Sequence, residues 1–211
     1  MKGKILVMGA LGQIGSELTA YLRQVYGREK VMASDLRLPP KNEEAVDLFI
    51  SHDCTNASET EKIIMEHHIK TIYNLPAILS AKAEESHKKA FEVNLVGLFQ
   101  TLEIARKYNC QIFIPSSIGV FGWSSPKNKT PQDCIMRPTT IYGVTKLAGE
   151  LLGDYYSAAF KVDSRGILAV GLSYPVVPKG QETIRVQLNA GLTPEDLNYI
   201  LDCFRTIKKN I

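Results

Sequence analysis

The glycines at positions 9, 12 and 15 constrain this chain most, because they directly follow an apolar run at residues 5–8. The run predicts a buried strand, and the segment that begins near Gln13 has the apolar spacing of a helix. In such a unit Gly9 permits a tight turn, Gly12 a close backbone approach, and Gly15 tight helix–strand packing. The turn would aim backbone N–H groups at an anion such as pyrophosphate. The spacing is G-x-x-G-x-x-G, and an ordinary βα turn stays an alternative for the glycines alone.

Apolar runs and amphipathic stretches alternate along the chain, which predicts an α/β fold. The predicted strands cover residues 4–8, 31–34, 46–50, 71–74, 111–116 and 163–170, and the predicted helices cover 14–26, 60–67, 87–108 and 142–160. This alternation favours a Rossmann-like, doubly wound parallel sheet with helices on both faces. Residues 121–137 are rich in Pro, Ser, Lys and Asn and predict a surface loop near the site.

The tail departs from this pattern. Residues 175–180 form a turn-rich break, and residues 183–188 alternate like a strand. Thr193, followed by a proline, predicts the capped start of a last helix. We therefore predict a nucleotide-binding domain over residues 1–166 and a small strand–helix appendage over residues 167–211.

Composition and charge exclude several classes of function. The 211 residues carry a formal net charge of +3, too slight to indicate a nucleic-acid partner or an anionic surface. No apolar run approaches the roughly 20 residues that span a bilayer, and the first residues lead at once into a strand, which argues against a signal peptide. The cysteines form no CxxC pair and the histidines no metal-ligand spacing. We therefore expect reduced thiols, no metal site and a cytoplasmic location.

Asp35 makes the glycine pattern more specific. It closes the second predicted strand, twenty residues beyond Gly15, where a carboxylate can accept hydrogen bonds from the adenosine ribose hydroxyls. Because this carboxylate repels a 2′-phosphate, the sequence favours NAD over NADP, although a nearby Arg37 could accommodate that phosphate. Asp53 follows the third strand and is expected near the adenine, with a turn-forming role as the alternative.

Tyr142 and Lys146 stand four residues apart and share one face of a predicted helix. A tyrosine with a pKa of about 10 is a poor base at neutral pH, and we expect the neighbouring ammonium to lower that pKa. The same lysine can donate to the nicotinamide ribose, although a solvated helix face is the alternative for the pair. Ser116 and Ser117 end the fifth predicted strand, where either hydroxyl can orient a reacting alcohol. Asn94 is expected either to help hold the lysine or to be structural.

These residues together resemble the short-chain dehydrogenase/reductase superfamily of extended type, and within it the L-threonine 3-dehydrogenases that need no zinc. The resemblance runs from residue 2 to about 166 and lies in segments 9–15, 34–37, 78–81, 115–122, 125–128, 137–146 and 150–156. It implies that Ser117 is the catalytic serine, that Tyr142 is the base and that Lys146 binds the cofactor. The predicted NAD-binding residues are Gly9, Gly12, Gln13, Ile14, Gly15, Asp35, Arg37, Asp53, Leu75, Ala77, Asn94, Tyr142 and Lys146.

The resemblance also implies the reaction, a hydride transfer from Cβ of L-threonine to NAD⁺ that gives 2-amino-3-oxobutyrate. Ser80 matches a residue that contacts threonine, so the implied substrate-binding residues are Ser80, Ser117 and Tyr142. Leu75 and Ala77 match the segment under the nicotinamide half of NAD. L-Threonine is the expected partner, and a homodimer is left open.

Three departures from the family pattern bear on activity. Met8 replaces a threonine before the first glycine, and Asn74-Leu75-Pro76 replaces a His-Leu-Ala pattern. The family's Tyr-Pro-Gly segment and substrate lobe are not found in the tail. From this we expect turnover that is much slower than the affinity for the cofactor would suggest.

The tail resembles instead the C-terminal end of 2-amino-3-ketobutyrate CoA ligase, a pyridoxal-phosphate enzyme. The likeness lies in residues 166–180, in the strand around Arg185 and in the last helix, and it implies two partial enzymes joined near residue 166. Two other interpretations stay open. One is a sugar-nucleotide epimerase or dehydratase, which shares the fold and the Tyr/Lys pair, and the other is an NAD-binding pseudoenzyme or partner-binding module.

Overall fold

A computed structural model of the chain describes residues 3–39, 48–126, 130–131 and 134–162, and the backbone of strands 168–172 and 183–187. The chain divides into two compact units, Met1–Gly166 and Ile167–Ile211.

A five-stranded parallel sheet forms the frame of the first unit. Its strands are β1 (Lys4–Met8), β2 (Val31–Asp35), β3 (Phe49–Ser51), β4 (Ile69–Asn74) and β5 (Gln111–Phe113). Their order in the sheet is β3-β2-β1-β4-β5, with every neighbouring pair parallel. The chain thus starts at the middle of the sheet, builds one edge and then crosses to build the other. Ligands in such sheets bind at the carboxyl ends of the strands beside this crossover.

Six α-helices connect or flank these strands within the described residues. They are α1 (Gln13–Tyr26), α2 (Ala57–Glu66), α3 (Ser80–Glu85), α4 (His87–Phe91), α5 (Gly97–Tyr108) and α6 (Ile141–Phe160), with a π-helical turn, Glu92–Val96, between α4 and α5.

The sheet is covered on both faces, because successive residues of β1 point to opposite sides. Ile5 and Val7 pack in one core with Leu22 of α1. Leu6 and Met8 pack in a second core with residues of α2, α5 and α6, including Leu102, which is fully buried. Each such side chain contributes about 1.5–3 kcal/mol when it is removed from water. The predicted doubly wound α/β fold is confirmed.

The structure shortens one predicted strand, interrupts one predicted helix and adds one helix that the sequence did not predict. The predicted strand 111–116 ends at Phe113, because Pro115 has no N–H to continue the ladder. The predicted helix 87–108 is interrupted by the π-helical turn, whose Asn94 is buried. The six-residue helix α3 escaped prediction, since it is too short to show a helical period.

The second unit contains two described strands, β6 (Leu168–Leu172) and β7 (Thr183–Gln187), which pair with each other in antiparallel fashion. The prediction that residues 163–170 add a sixth strand to the parallel sheet is therefore wrong, because the described part of this segment pairs with β7. The strand predicted at 183–188 is confirmed over residues 183–187. The predicted break at 175–180, the helix from Thr193 and the side chain of Arg185 lie outside the described residues.

Candidate active site

The glycine-rich turn connects β1 to α1 at the carboxyl end of the sheet. Gly9 has a φ of 74°, and the N–H of Gly12 donates to its carbonyl at 3.0 Å. A Cβ on Gly15 would lie 2.2 Å from that same carbonyl oxygen, so only glycine lets the first turn of α1 approach the loop. Among the described residues, no side chain caps α1, and its first turn holds no acid. The free N–H groups and the positive end of the helix dipole therefore suit a pyrophosphate.

Asp35 ends β2 beside this turn, as the sequence predicted, and its carboxylate is fully engaged by hydrogen bonds. Leu11 N donates to Oδ2 at 3.0 Å, which ties the glycine-rich turn to the end of β2. Arg37 donates to the same carboxylate three times, from its backbone N at 3.0 Å, from Nε at 3.1 Å and from Nη2 at 3.2 Å. Burial acts to raise the pKa of Asp35, but the hydrogen bonds from Arg37 and Leu11 outweigh it and hold that pKa below its ordinary value.

The end of β3 packs beside Asp35 through a histidine that the sequence analysis did not single out. His52 is buried, and its backbone N donates to Asp35 O at 3.0 Å. Its ring lies 2.8 Å from Thr60 Oγ1 of α2 and 3.5 Å from Ser34 Oγ of β2. Burial lowers the pKa of His52, so the ring is a neutral connector of three elements. Only its place directly after a short apolar strand hinted at this burial.

Asp53 follows β3 as expected, and its carboxylate shapes the turn there. Oδ1 accepts from the backbone N of Thr55 at 2.9 Å and from Thr55 Oγ1 at 2.7 Å. These are the bonds of an Asx turn, the alternative that the sequence left open for this residue.

The loop after β4 lies directly against the glycine-rich turn. Leu75 N donates to Met8 O at 3.2 Å, and a Cβ on Gly9 would lie 3.0 Å from Pro76 N. Leu75 and Ala77 are both half-buried. The Leu75-Pro76 sequence, which departs from the family pattern, is thus accommodated next to the turn rather than displaced from it.

Asn94 joins this loop to helix α6. Its Oδ1 accepts from Ile78 N at 2.7 Å, and its Nδ2 donates to Ile78 O at 3.0 Å and to Thr145 Oγ1 at 3.3 Å. Thr145 in turn donates to Tyr142 O at 2.9 Å. The side chain therefore has the structural role that the sequence gave as one alternative. The π-helical turn that carries it is a frequent feature of functional sites.

The first turn of α6 is held firmly in place. Thr140 caps it by accepting from Gly143 N at 3.0 Å, and Glu84 of α3 accepts from Ile141 N at 2.8 Å. A Cβ on Gly143 would lie 2.2 Å from the carbonyl oxygen of Gly119. This close approach brings Tyr142 against the turn that follows Ser117.

Ser117, Tyr142 and Lys146 come together beyond the end of β5. The Ser117 hydroxyl accepts from Gly119 N at 3.1 Å and is hydrogen-bonded to Tyr142. Lys146 Nζ donates to Pro115 O at 3.0 Å and lies 5.8 Å from the centre of the Tyr142 ring. Two chain segments that are far apart in sequence thus form one cluster with a hydroxyl, a phenol and an amine.

Burial shifts both titratable groups of this cluster toward their neutral forms. It lowers the pKa of Lys146 to about 8, and it raises the pKa of Tyr142, which the hydrogen bond to Ser117 only partly opposes. The net direction of the Tyr142 pKa shift is opposite to the lowering expected from the sequence, and Lys146 is not among its causes. The reason is that the charged form of each group loses its hydration at this site.

The remaining predicted residues lie at other positions on the described chain. Ser116 donates to Glu150 rather than facing Tyr142, and burial raises the pKa of Glu150. Ser80 is the exposed first residue of α3. Gln13 and Ile14 begin α1, and both are exposed.

The described part of the chain holds no group of three or more His, Cys, Asp or Glu residues placed to bind a metal ion. None of its helices has both the length and the apolar content that crossing a membrane requires.

Comparison with known proteins shows that most of the chain matches one protein family. The model of the family described as "NAD dependent epimerase/dehydratase family" matches residues 5–170. An uncharacterized epimerase/dehydratase of Staphylococcus haemolyticus is 42% identical over 184 residues, which cover 85% of this chain and 57% of the relative. Another from Staphylococcus saprophyticus is 44% identical over 170 residues, with coverages of 80% and 53%. The chain thus spans about half the length of these curated relatives.

Solved structures show the same likeness. L-Threonine dehydrogenase from Clostridium difficile is 47% identical with a TM-score of 0.76, over 84% of this chain and 56% of that one. A GalE-like L-threonine dehydrogenase from Cupriavidus necator is 38% identical with a TM-score of 0.76, over 84% and 57%. A UDP-glucose 4-epimerase from Thermotoga maritima is 23% identical with a TM-score of 0.71, over 79% and 55%, and shows the fold alone. These matches do not support the likeness of the tail to a CoA ligase.

Proposed function

The chain belongs to the NAD dependent epimerase/dehydratase family, and we propose that within it this chain acts as an L-threonine 3-dehydrogenase. The observation that carries the proposal is the cluster of Ser117, Tyr142 and Lys146 beyond β5, on the same edge of the sheet as the glycine-rich turn. The solved L-threonine dehydrogenases at 38–47% identity support this substrate.

The residues of the turn fit NAD, because glycines 9 and 12 keep the turn free of side chains and α1 offers uncapped N–H groups within the described chain. Asp35 stands where the adenosine ribose hydroxyls are expected. NAD⁺, when bound, supplies the hydride acceptor.

In the proposed reaction the hydroxyl on Cβ of threonine binds between Ser117 and Tyr142. Tyr142 takes the hydroxyl proton while the hydride leaves Cβ, so that the C–O single bond becomes a ketone. Ser117 orients the hydroxyl and stabilises the phenolate by its hydrogen bond. Lys146, which is bonded to Pro115 O, lies over the Tyr142 ring and helps to position it. Ser80, Leu75 and Ala77 are proposed to contact threonine and the nicotinamide half of NAD.

Because burial raises the pKa of Tyr142, its conjugate base forms only at alkaline pH unless substrate and cofactor shift it. We therefore expect the rate to increase with pH through one ionisation. A rate that falls with increasing pH from neutral would contradict the assignment of Tyr142 as base.

The test is formation of NADH from NAD⁺ and L-threonine, measured by absorbance beside a separate titration of NAD⁺ binding. L-Serine is the matched control, since it lacks only the methyl group on Cβ. Threonine-dependent NADH supports the proposal. Binding of NAD⁺ without turnover on any of these alcohols would instead support a nucleotide-binding pseudoenzyme or partner-binding module.

A second candidate is a sugar-nucleotide epimerase or dehydratase, favoured by the descriptions of the family and of its curated relatives. These enzymes regenerate their cofactor, so net NADH would not appear. Conversion of UDP-glucose in the absence of any response to threonine would favour this candidate.

A further inference from the structure

The carboxylate of Asp35 has no free capacity to accept a hydrogen bond. A carboxylate offers about four lone-pair positions, two on each oxygen. Oδ1 accepts from the backbone N of Arg37 and from its Nε, and Oδ2 accepts from Leu11 N and from Arg37 Nη2. A ribose diol that binds Asp35 must therefore displace one of these donors.

The donors differ in how easily they can leave. The two backbone N–H groups are fixed by the turns that carry them, and Leu11 N also secures the glycine-rich turn. The guanidinium of Arg37 is different, because its side chain is 64% exposed while that of Asp35 is only 8% exposed. Water can hydrogen-bond to the exposed guanidinium after it leaves Asp35. Displacing the guanidinium therefore costs less free energy than displacing either backbone N–H.

We propose that Arg37 is a specificity-determining residue whose guanidinium competes with the adenosine ribose for Asp35 and thereby narrows the preference for NAD over NADP. In this role Arg37 weakens binding of NAD⁺, which must first displace it. The displaced guanidinium stays close, because the Arg37 backbone N remains bonded to Asp35 at 3.0 Å.

The same displacement has the opposite consequence for a 2′-phosphorylated cofactor. A free guanidinium beside the ribose matches the geometry of a phosphate with paired donors. Arg37 then offsets part of the repulsion between Asp35 and the 2′-phosphate. Arg37 would thus weaken the binding of NAD⁺ and strengthen the binding of NADP⁺.

The test is calorimetric titration of the whole chain with NAD⁺ and with NADP⁺, in the absence of threonine, for wild type, Arg37→Gln and Arg37→Lys. We expect Arg37→Gln to tighten NAD⁺ binding about two- to fivefold, the range for loss of an exposed ion pair, and to weaken NADP⁺. The affinities of Arg37→Lys for both cofactors should fall between those of wild type and Arg37→Gln, because an ammonium keeps the positive charge but lacks the paired N–H donors of a guanidinium. Arg106→Gln removes an exposed Arg–Glu pair on α5 and should leave both affinities unchanged.

Unchanged or weaker NAD⁺ binding by Arg37→Gln would overturn the competition, since Arg37 would then serve the bound cofactor or be idle. Tighter NADP⁺ binding by the same variant would overturn the role in discrimination. The measurement needs no turnover, so a failure of the proposed threonine chemistry would leave these outcomes readable.

Discussion

The two ends of the proposed site treat charge in opposite ways. At the adenosine end, Asp35 is ionised and every one of its acceptor positions is filled by an N–H donor. At the end formed by Ser117, Tyr142 and Lys146, burial raises the pKa of Tyr142 and lowers that of Lys146, which favours the neutral form of each. The first arrangement stabilises the negative charge of Asp35. The second favours a protonated Tyr142 and a neutral Lys146. The proposed anchor for NAD and the proposed acid–base group thus lie at the same carboxyl end of the sheet.

The largest effect should come from removing the phenol. Tyr142→Phe should lower threonine-dependent turnover by about 10²–10⁴-fold, the usual contribution of a general base, with NAD⁺ affinity unchanged. Steady-state rates and calorimetry measure the two quantities. Tyr155→Phe on the same helix is the matched control, because Tyr155 is exposed and should be neutral. Full activity of Tyr142→Phe would contradict the proposed role of Tyr142 as the base.

Next in size is the loss of close packing at the adenosine end. Gly15→Ala should destabilise the fold by about 3 kcal/mol, the upper part of the range for overpacking, because its Cβ would lie 2.2 Å from a backbone carbonyl that cannot move aside. Urea unfolding measures this change. Gly153→Ala is the control, since its Cβ meets only Ile114 at an ordinary 3.6 Å. Equal stability of the two variants would contradict the proposed contact.

Removing the anchoring charge should have a smaller effect on cofactor binding. Asp35→Ala should weaken NAD⁺ by on the order of 1–3 kcal/mol, the value for charge-assisted hydrogen bonds, and should reduce the preference over NADP⁺. Asp53→Ala should change NAD⁺ affinity less, because Asp53 is engaged in its own turn. Equal affinity of wild type for both cofactors would show that Asp35 does not discriminate.

The smallest effect concerns the stability cost of the desolvated lysine. Lys146→Met should increase the free energy of unfolding at pH 7 by about 1 kcal/mol. The variant no longer has to bury an ammonium, and the loss of the hydrogen bond to Pro115 offsets part of that gain. The unfolded chain holds the Lys146 proton up to about pH 10.5 and the folded chain releases it near pH 8. The unfolded state therefore binds more protons in this window, and wild-type stability increases with pH across it.

Urea titrations at pH 7 and at pH 9.5 test this difference, which should shrink at the higher pH. Lys107→Met, which removes an exposed ion pair with Glu61, is the control and should show no such recovery. A gap that widens with pH would mean that Lys146 is stabilised rather than desolvated as an ammonium.

Local patterns were enough to predict the parts of the site that one segment builds by itself. The strand–turn–helix at Gly9 to Gly15 and the place of Asp35 at the end of β2 follow from apolar spacing and glycine positions. The Tyr142–Lys146 pair follows from helical geometry in the same way.

Features that depend on contact between distant segments could not be predicted. The burial of His52 against Thr60 and the bonds of Asn94 to Ile78 need the assembled fold. The direction of the Tyr142 pKa shift depends on how much water the surrounding chain removes, which no sequence spacing reports.

The two hydrogen bonds between Asn94 and Ile78 have a consequence for hydrogen exchange. Ile78 lies in a loop between β4 and α3, where amide protons usually exchange with water quickly. Its N–H, however, donates at 2.7 Å to a side chain that is itself buried and bonded to Thr145. Exchange at Ile78 therefore requires the loop to separate from Asn94 of the π-helical turn. In deuterated water this loop amide should exchange as slowly as the amides within a helix and report on the contact between the loop and that turn.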